Sequence, residues 1–185
     1  IGAETLSKVT DWNDRGTCVL FGDGAGAAVL KAEETGIIDM MMGADGTKGD
    51  VLACTSRTVG NFLTGTKPEL GFMTMDGQEV FKVAVRKGPE SVMELLQRTG
   101  TKKEDIKYYV LHQANERIIE AAARRLKEPM EKFPMTIGQF GNTSTASIPL
   151  LLDDMIQKDM LKRGDKIIMS GFGAGMTWGA VLMEW

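Results

Sequence analysis

Histidine and cysteine are scarce in this chain. Of its 185 residues one is a histidine, His112, and two are cysteines, Cys18 and Cys54. Two cysteines are too few for a disulfide framework and suit a reducing compartment. With a single histidine beside them, they argue against a structural zinc site of the usual ligand set. A basic excess is missing too: 22 Lys plus Arg stand against 25 Asp plus Glu, a net charge of −3. Nothing in that balance pulls the chain onto a nucleic-acid backbone. No apolar run approaches the roughly 18–20 residues that span a bilayer, and no basic-then-apolar signal opens the chain. What is present is ordinary: 43% hydrophobic and 25% charged residues, at a length that suits one domain with a real core. The expectation is a cytoplasmic globular protein with no metal, membrane or nucleic-acid partner. The opening Ile1-Gly2-Ala3 follows no initiator methionine and reads like the tail of a buried strand, as in a fragment.

Along the chain, apolar runs alternate with helical patterns. Thr17-Cys18-Val19-Leu20-Phe21 is a short apolar run, followed by the glycine turn Gly22-Asp23-Gly24-Ala25-Gly26. Residues 27–30 and 36–42 read as two strands, punctuated by Gly36 and Gly43. Residues 45–72 show little periodicity and read as an irregular surface excursion. Over 78–99, Val80, Phe81, Val83, Ala84, Met93, Leu95 and Leu96 recur at helical spacing, and Gly88-Pro89 is expected to kink or split that helix. Tyr108-Tyr109-Val110-Leu111 is a short buried strand ending at His112. Residues 115–127 read as a helix with Ile118, Ile119, Ala122 and Leu126 on one face, stopped by Pro129. A further helix covers about 144–158, and strands at 166–170 and 179–184 close the chain around a glycine turn. Strands and helices in this order imply a layered α/β unit. Gly22-Asp23-Gly24-Ala25-Gly26 is echoed by Gly171-Phe172-Gly173-Ala174-Gly175, each soon followed by Ala-Val-Leu. Among 22 glycines the echo is either chance or the trace of a duplicated half.

Two segments carry the chemistry. His112 stands at the carboxyl end of an apolar strand, the edge where α/β sheets bind ligands; taken alone it reads as a hydrogen-bonded strand-end histidine. Asn142, in Gly141-Asn142-Thr143-Ser144-Thr145-Ala146-Ser147-Ile148-Pro149, stands at a glycine-preceded helix entrance and alone reads as an N-cap. Together they are two donors able to converge on one carbonyl oxygen.

These segments carry a family resemblance. The chain resembles β-ketoacyl-[acyl carrier protein] synthase III, a condensing enzyme of the thiolase superfamily. The match runs from end to end, through Asp14-Arg15-Gly16, Phe21 to Gly26, Gly77 to Lys82, His112-Gln113-Ala114-Asn115, Gly141 to Pro149 and Gly171 to Gly179. The resemblance implies an α/β, thiolase-like fold. Residues 35–185 would be its C-terminal half, a mixed five-stranded sheet with helices, and residues 1–34 the last strands of the N-terminal half. It implies decarboxylative condensation of a short acyl-CoA primer with malonyl-[acyl carrier protein], which starts fatty-acid synthesis. Of the family's Cys, His and Asn triad, His112 and Asn142 match the last two. The nucleophilic cysteine belongs to a part of the family's chain that is absent here, and neither Cys18 nor Cys54 has its context, so both read as structural or incidental. Arg15 matches the arginine that stacks on the CoA adenine. Gly77, Phe81, Ala114, Asn115 and Ile118 match the pantetheine tunnel, and Phe172 the acyl pocket. Lys82, Arg117 and Arg124 match a basic patch for the acidic carrier protein. Met176 replaces an aromatic common at its position. The resemblance implies no cofactor, CoA entering as a substrate thioester, and as partners the missing N-terminal half and a second copy in a homodimer.

Two competing readings stand beside it. Gly22 to Ala27 also fits a dinucleotide fingerprint, with Asp45 about twenty residues on, which would make the chain a fragment of an oxidoreductase. That reading needs a helix to start at the glycines, and the secondary structure of residues 27–31 decides it. The other reading is a non-catalytic domain that binds partners through apolar surface.

Overall fold

The computed structural model describes residues 1–54, 60–68 and 71–185. Its strands are β1 (Gly2–Glu4), β2 (Gly24–Gly26), β3 (Ile37–Ala44), β4 (Leu52–Cys54), β5 (Met73–Met75), β6 (Ile106–Leu111), β7 (Lys166–Gly173) and β8 (Thr177–Glu184). Its α-helices are α1 (Gly77–Thr99), α2 (Glu116–Leu126), α3 (Ile137–Phe140) and α4 (Ser147–Gln157). β3, β8, β7 and β6 lie in that order in one mixed sheet. β6 and β7 are parallel, with α2, α3 and α4 in the crossover, while β7–β8 and β8–β3 are antiparallel.

The central strands are buried on both faces, which explains their unbroken apolar runs. Tyr109 and Leu111 of β6 and Ile168 of β7 face α1 and α2, meeting Val92, Leu95, Ile119 and Leu126. Val110 and Ile167, one residue out of step, face α4 through Leu151 and Met155. This is the strand period of two met by two helical stripes.

α1 begins where Asp76 Oδ1 accepts from the N–H groups of Gln78 and Glu79 and ends at Gly100 in the left-handed region, φ 66°. Pro89 neither ends nor splits it: the helix runs continuously through a buried proline. The residue before a proline is normally pushed from helical geometry by clash of the proline ring with its N–H and Cβ. Gly88 has no Cβ, which removes part of that clash, while the missing proline N–H costs a backbone hydrogen bond. α2 begins at Asn115, whose Oδ1 accepts from Arg117 N–H at 2.9 Å, and ends at Lys127.

Three further expectations are corrected. The sheet has four strands among the described residues, not five; β4 and β5 pair with each other as a separate ribbon. That ribbon, with a 3₁₀ turn at Gly46–Val51, also gives regular structure to what reads as an irregular excursion; residues 55–59 and 69–70 of that stretch lie outside the described residues. Residues 27–30 are not a strand. β2 pairs only with β1, whose first paired residue, Gly2, faces Gly26, so the ladder stops there. In consequence the two Ala-Val-Leu echoes differ: 180–182 lies in β8, whereas Val29 is 97% exposed. Among the described residues no helix is long and apolar enough to cross a membrane.

Candidate active site

His112 extends the β6–β7 ladder by one bond, its N–H donating to Ser170 O at 2.8 Å. The ring therefore projects just past the carboxyl end of β6. Phe172 meets it edge-on, with ring centroids 5.4 Å apart and planes at 68°. Nδ1 lies 2.6 Å from Ser147 Oγ at the start of α4. Gln113 beside it is wholly buried: its Nε2 donates to Leu111 O at 2.7 Å, and its Oε1 accepts from Thr136 N–H at 3.0 Å. No carboxylate bonds the imidazole among the described residues, and burial pushes its pKa down to about 4. The ring is neutral at pH 7.

Because His112 is the one histidine in the chain, this burial has an isolated thermodynamic signature. An unfolded histidine titrates near 6.5. Between that value and about 4, the unfolded chain takes a proton that the folded chain refuses. Stability is therefore fully present above the unfolded value and falls as pH drops through this window, by about 1.4 kcal/mol per unit. Urea midpoints at pH 7 and pH 5 are expected to show a loss of about 2 kcal/mol in the wild type that His112→Gln lacks. Equal losses in the two proteins would contradict a neutral, largely desolvated His112.

Asn142 reaches the same region along a seam. Its N–H donates to Leu20 O and its C=O accepts from Gly22 N–H, both at 2.9 Å, forming a parallel bridge between Phe21 and Asn142. Gly141, at φ 67°, makes the turn that admits this pairing, a backbone conformation open to glycine at no steric cost. A Cβ there would also sit 3.1 Å from Leu20 O. The Asn142 side chain does cap backbone, Oδ1 accepting from Ser144 N–H at 2.9 Å. That bond fixes the amide plane and leaves the NH2 end a donor with no partner among the described residues. The capping role and the chemical role are thus compatible. Gly22 marks the tightest point of the seam: a Cβ there would collide with the Phe140 carbonyl oxygen, a backbone atom that cannot swing aside. Gly22→Ala is expected to destabilise the fold by about 1–3 kcal/mol through overpacking, read as a lowered urea midpoint; an unchanged midpoint would show the seam to be loose.

His112 and Asn142 line one cavity of ≈ 360 Å³. Gly77 and Phe81 enter it from the start of α1, and Ala114, Asn115 and Ile118 from the β6–α2 junction. Phe172 closes it from the end of β7, backed by the buried Met176 with Val80 and Val83. Arg15 does not line it; it is exposed on a turn beside Gly16, which does. The three basic residues also lie outside the lining. Lys82 is exposed and bonds Glu79 Oε1 at 2.7 Å; Lys48 bonds the other oxygen, and the two ammonium groups hold the Glu79 carboxyl down at about 2. Arg124 is exposed, 3.6 Å from Glu120, and Arg117 is exposed with no ion pair among the described residues.

Sequence reading left three residues of the site without a role. Ser147 and Gln113 stand inside motifs already singled out, and a buried amide next to a strand-end histidine was the available signal. Cys54 lines the cavity too, although nothing in its sequence surroundings places it there. The dinucleotide reading falls, because Gly24–Gly26 is a strand and no helix follows it.

A mixed sheet covered by helices on both faces, presenting a strand-end histidine and a seam-held asparagine to one apolar-walled cavity, belongs to the thiolase-like α/β class. The family described as 3-oxoacyl-[acyl-carrier-protein (ACP)] synthase III C terminal matches residues 96–185, and its companion, 3-oxoacyl-[acyl-carrier-protein (ACP)] synthase III, matches residues 1–46. The chain is 52% identical over 187 residues to the beta-ketoacyl-[acyl-carrier-protein] synthase III of Clostridium novyi (strain NT), covering 100% of this chain and 58% of that protein. Its backbone matches the crystal structure of 3-oxoacyl-[acyl-carrier-protein] synthase III from Aquifex aeolicus VF5 with a TM-score of 0.86 and 42% identity, covering 99% of this chain and 56% of that one. The beta-ketoacyl-[acyl carrier protein] synthase III structure from Thermus thermophilus gives a TM-score of 0.84 and 40% identity, covering 99% of this chain and 57% of that one. The chain belongs to the 3-oxoacyl-[acyl-carrier-protein] synthase III family. It spans 58% of the length of the curated relative from Clostridium novyi.

Proposed function

We propose that this chain is the His- and Asn-bearing part of an enzyme that condenses a short acyl-CoA primer with malonyl-[acyl carrier protein], initiating fatty-acid synthesis. The observation that carries the reading is the convergence of a neutral His112 and the capped amide of Asn142 on one apolar-walled cavity. When the malonyl C–COO⁻ bond breaks, CO2 leaves and the electron pair passes into the thioester, placing negative charge on its oxygen. Two neutral donors, His112 Nε2–H and Asn142 NH2, stabilise that oxygen without bringing a carboxylate near it. The enolate carbon then attacks the primer's acyl thioester, and the enzyme thiolate leaves.

In this reading the acylated cysteine is supplied by the part of the full-length enzyme outside this sequence, and Cys18 and Cys54 do not replace it. Residues 1–34 close that other half, and residues 35–185 form the half that carries His112 and Asn142. Gly77, Phe81, Ala114, Asn115 and Ile118 hold the pantetheine arm, Arg15 the adenine at its mouth, and Phe172 the acyl group. Lys82, Arg117 and Arg124, on neighbouring helices α1 and α2, receive the acidic carrier protein. No cofactor or metal takes part, and the assembled enzyme is a cytoplasmic homodimer.

The test is a condensation assay on the full-length protein with acetyl-CoA and malonyl-[acyl carrier protein]. A β-ketoacyl-carrier product with one CO2 released per turnover is expected, and a full-length protein that makes neither overturns the reading. A second reading, a partner-binding domain without catalysis, draws on exposed apolar side chains: Leu30 is 80% exposed, Met42 83% and Phe62 100%, and exposed apolar side chains of this kind mark interaction sites where they form one patch. Supplying the remaining half in trans separates the two, since only the catalytic reading expects condensation to appear.

A further inference from the structure

Ser147 is the first residue of α4 and is buried. Its Oγ has two hydrogen-bond partners among the described residues: the Gln113 N–H at 3.3 Å and His112 Nδ1 at 2.6 Å. A backbone N–H can only donate, so Gln113 occupies one lone pair of the hydroxyl. If Nδ1 also carried a proton, it would be a second donor to Oγ. The hydroxyl's own proton would then have no acceptor, in a place where an unmade hydrogen bond is costly. With that proton aimed at Nδ1, every group is satisfied.

We propose that Ser147 is a positioning residue that fixes His112 in the Nε2–H tautomer, with Gln113 holding the serine in that role. Gln113 is suited to it because its buried amide is locked at both ends, between Leu111 O and Thr136 N–H. Nδ1 being engaged by the serine, Nε2 is the nitrogen left for the cavity that His112 lines. The tautomer rests on this geometry alone. Its catalytic consequence rests on the condensing-enzyme reading, which needs a proton donor at that edge; the other tautomer would offer a lone pair to a negatively charged oxygen.

The single histidine makes the test direct. In the 185-residue chain labelled with ring-¹⁵N-histidine, the two ring nitrogens of His112 are the only labelled positions. At pH 7 the pattern expected is a protonated Nε2 and a bare Nδ1. Ser147→Ala is expected to replace it with averaged shifts from both tautomers, and Ser147→Thr, which keeps the hydroxyl, to restore it. A protonated Nδ1 in the wild type, or an unchanged pattern in Ser147→Ala, overturns the proposal. In the full-length enzyme, Ser147→Ala is expected to slow condensation by about 10–100-fold, the scale of lost orienting partners, with acyl transfer to the enzyme unchanged. Unslowed condensation alongside a shifted tautomer would overturn the catalytic consequence and leave the tautomer assignment standing.

Discussion

Alanine in place of His112 or Asn142 in the full-length protein is expected to slow decarboxylation of the malonyl thioester by about 10²–10³-fold, the usual effect of removing one donor from an oxyanion site. Acyl transfer from acetyl-CoA to the enzyme is expected to change far less. The two steps differ in where charge develops. On the proposed mechanism, decarboxylation places its negative charge on the malonyl thioester oxygen, the point the imidazole and the amide would serve together. Acyl transfer depends first on the thiolate and its own surroundings. Each variant should therefore lose the later step selectively, a split that distinguishes a lost donor from a damaged fold. The measurements are release of labelled CO2 from malonyl-[acyl carrier protein] and, separately, the mass of the acylated enzyme. Equal loss in both steps would remove the donor role, as would full decarboxylation in either variant.

The 185-residue chain by itself is expected to gain no stoichiometric acetyl group from acetyl-CoA. A reactive cysteine needs its thiolate stabilised by a helix N-terminus, a cation or an imidazolium. Cys18 is half-buried within a turn, its N–H bonded to Asp14 O. Cys54 ends β4, and its sulfur's one hydrogen-bond partner among the described residues is Gly71 O at 3.8 Å. Cys54 is the more stringent case, because it is exposed and lines the same cavity as His112. Intact mass after incubation, followed by peptide mapping, checks the outcome. A full equivalent of acetyl on Cys18 or Cys54 would overturn the assignment of the nucleophile to the rest of the enzyme.

The parts of the fold legible in the sequence were those whose burial leaves a period. The β6 run and the α2 face are apolar because both are packed, and the helix boundaries of α2 follow from Asn115 and Lys127 within a residue. The misreadings have a common physical source, the dependence of local form on a neighbour. Residues 27–30 have strand composition but no strand beside them, and Pro89 has a helix-breaking side chain but a glycine before it. Leu52–Cys54 and Met73–Met75 are short, and they become strands only by finding each other across a long excursion. At the site, His112 and Asn142 were legible from motif context, and the structure places both on one cavity. The contact between His112 and Ser147 spans 35 positions and leaves no periodic trace. The seam at Phe21 joins segments still further apart in the chain, and no local pattern announces it.

That seam sets how the site fails. Asn142 is placed by two backbone hydrogen bonds to residues 20–22, outside the four-stranded sheet and its core. Such a junction opens at a lower free energy than the strands it borders. The temperature at which the asparagine loses its alignment is therefore expected to lie below the global melting of the sheet, read as faster hydrogen exchange at the Asn142 and Gly22 amides than in β6; equal protection would overturn this. His112, rooted in the β6–β7 ladder by its N–H bond to Ser170 O, is expected to keep its place through that range. If the two side chains act as a donor pair, heating is then expected to disarm it from the asparagine side first, while the sheet is still folded.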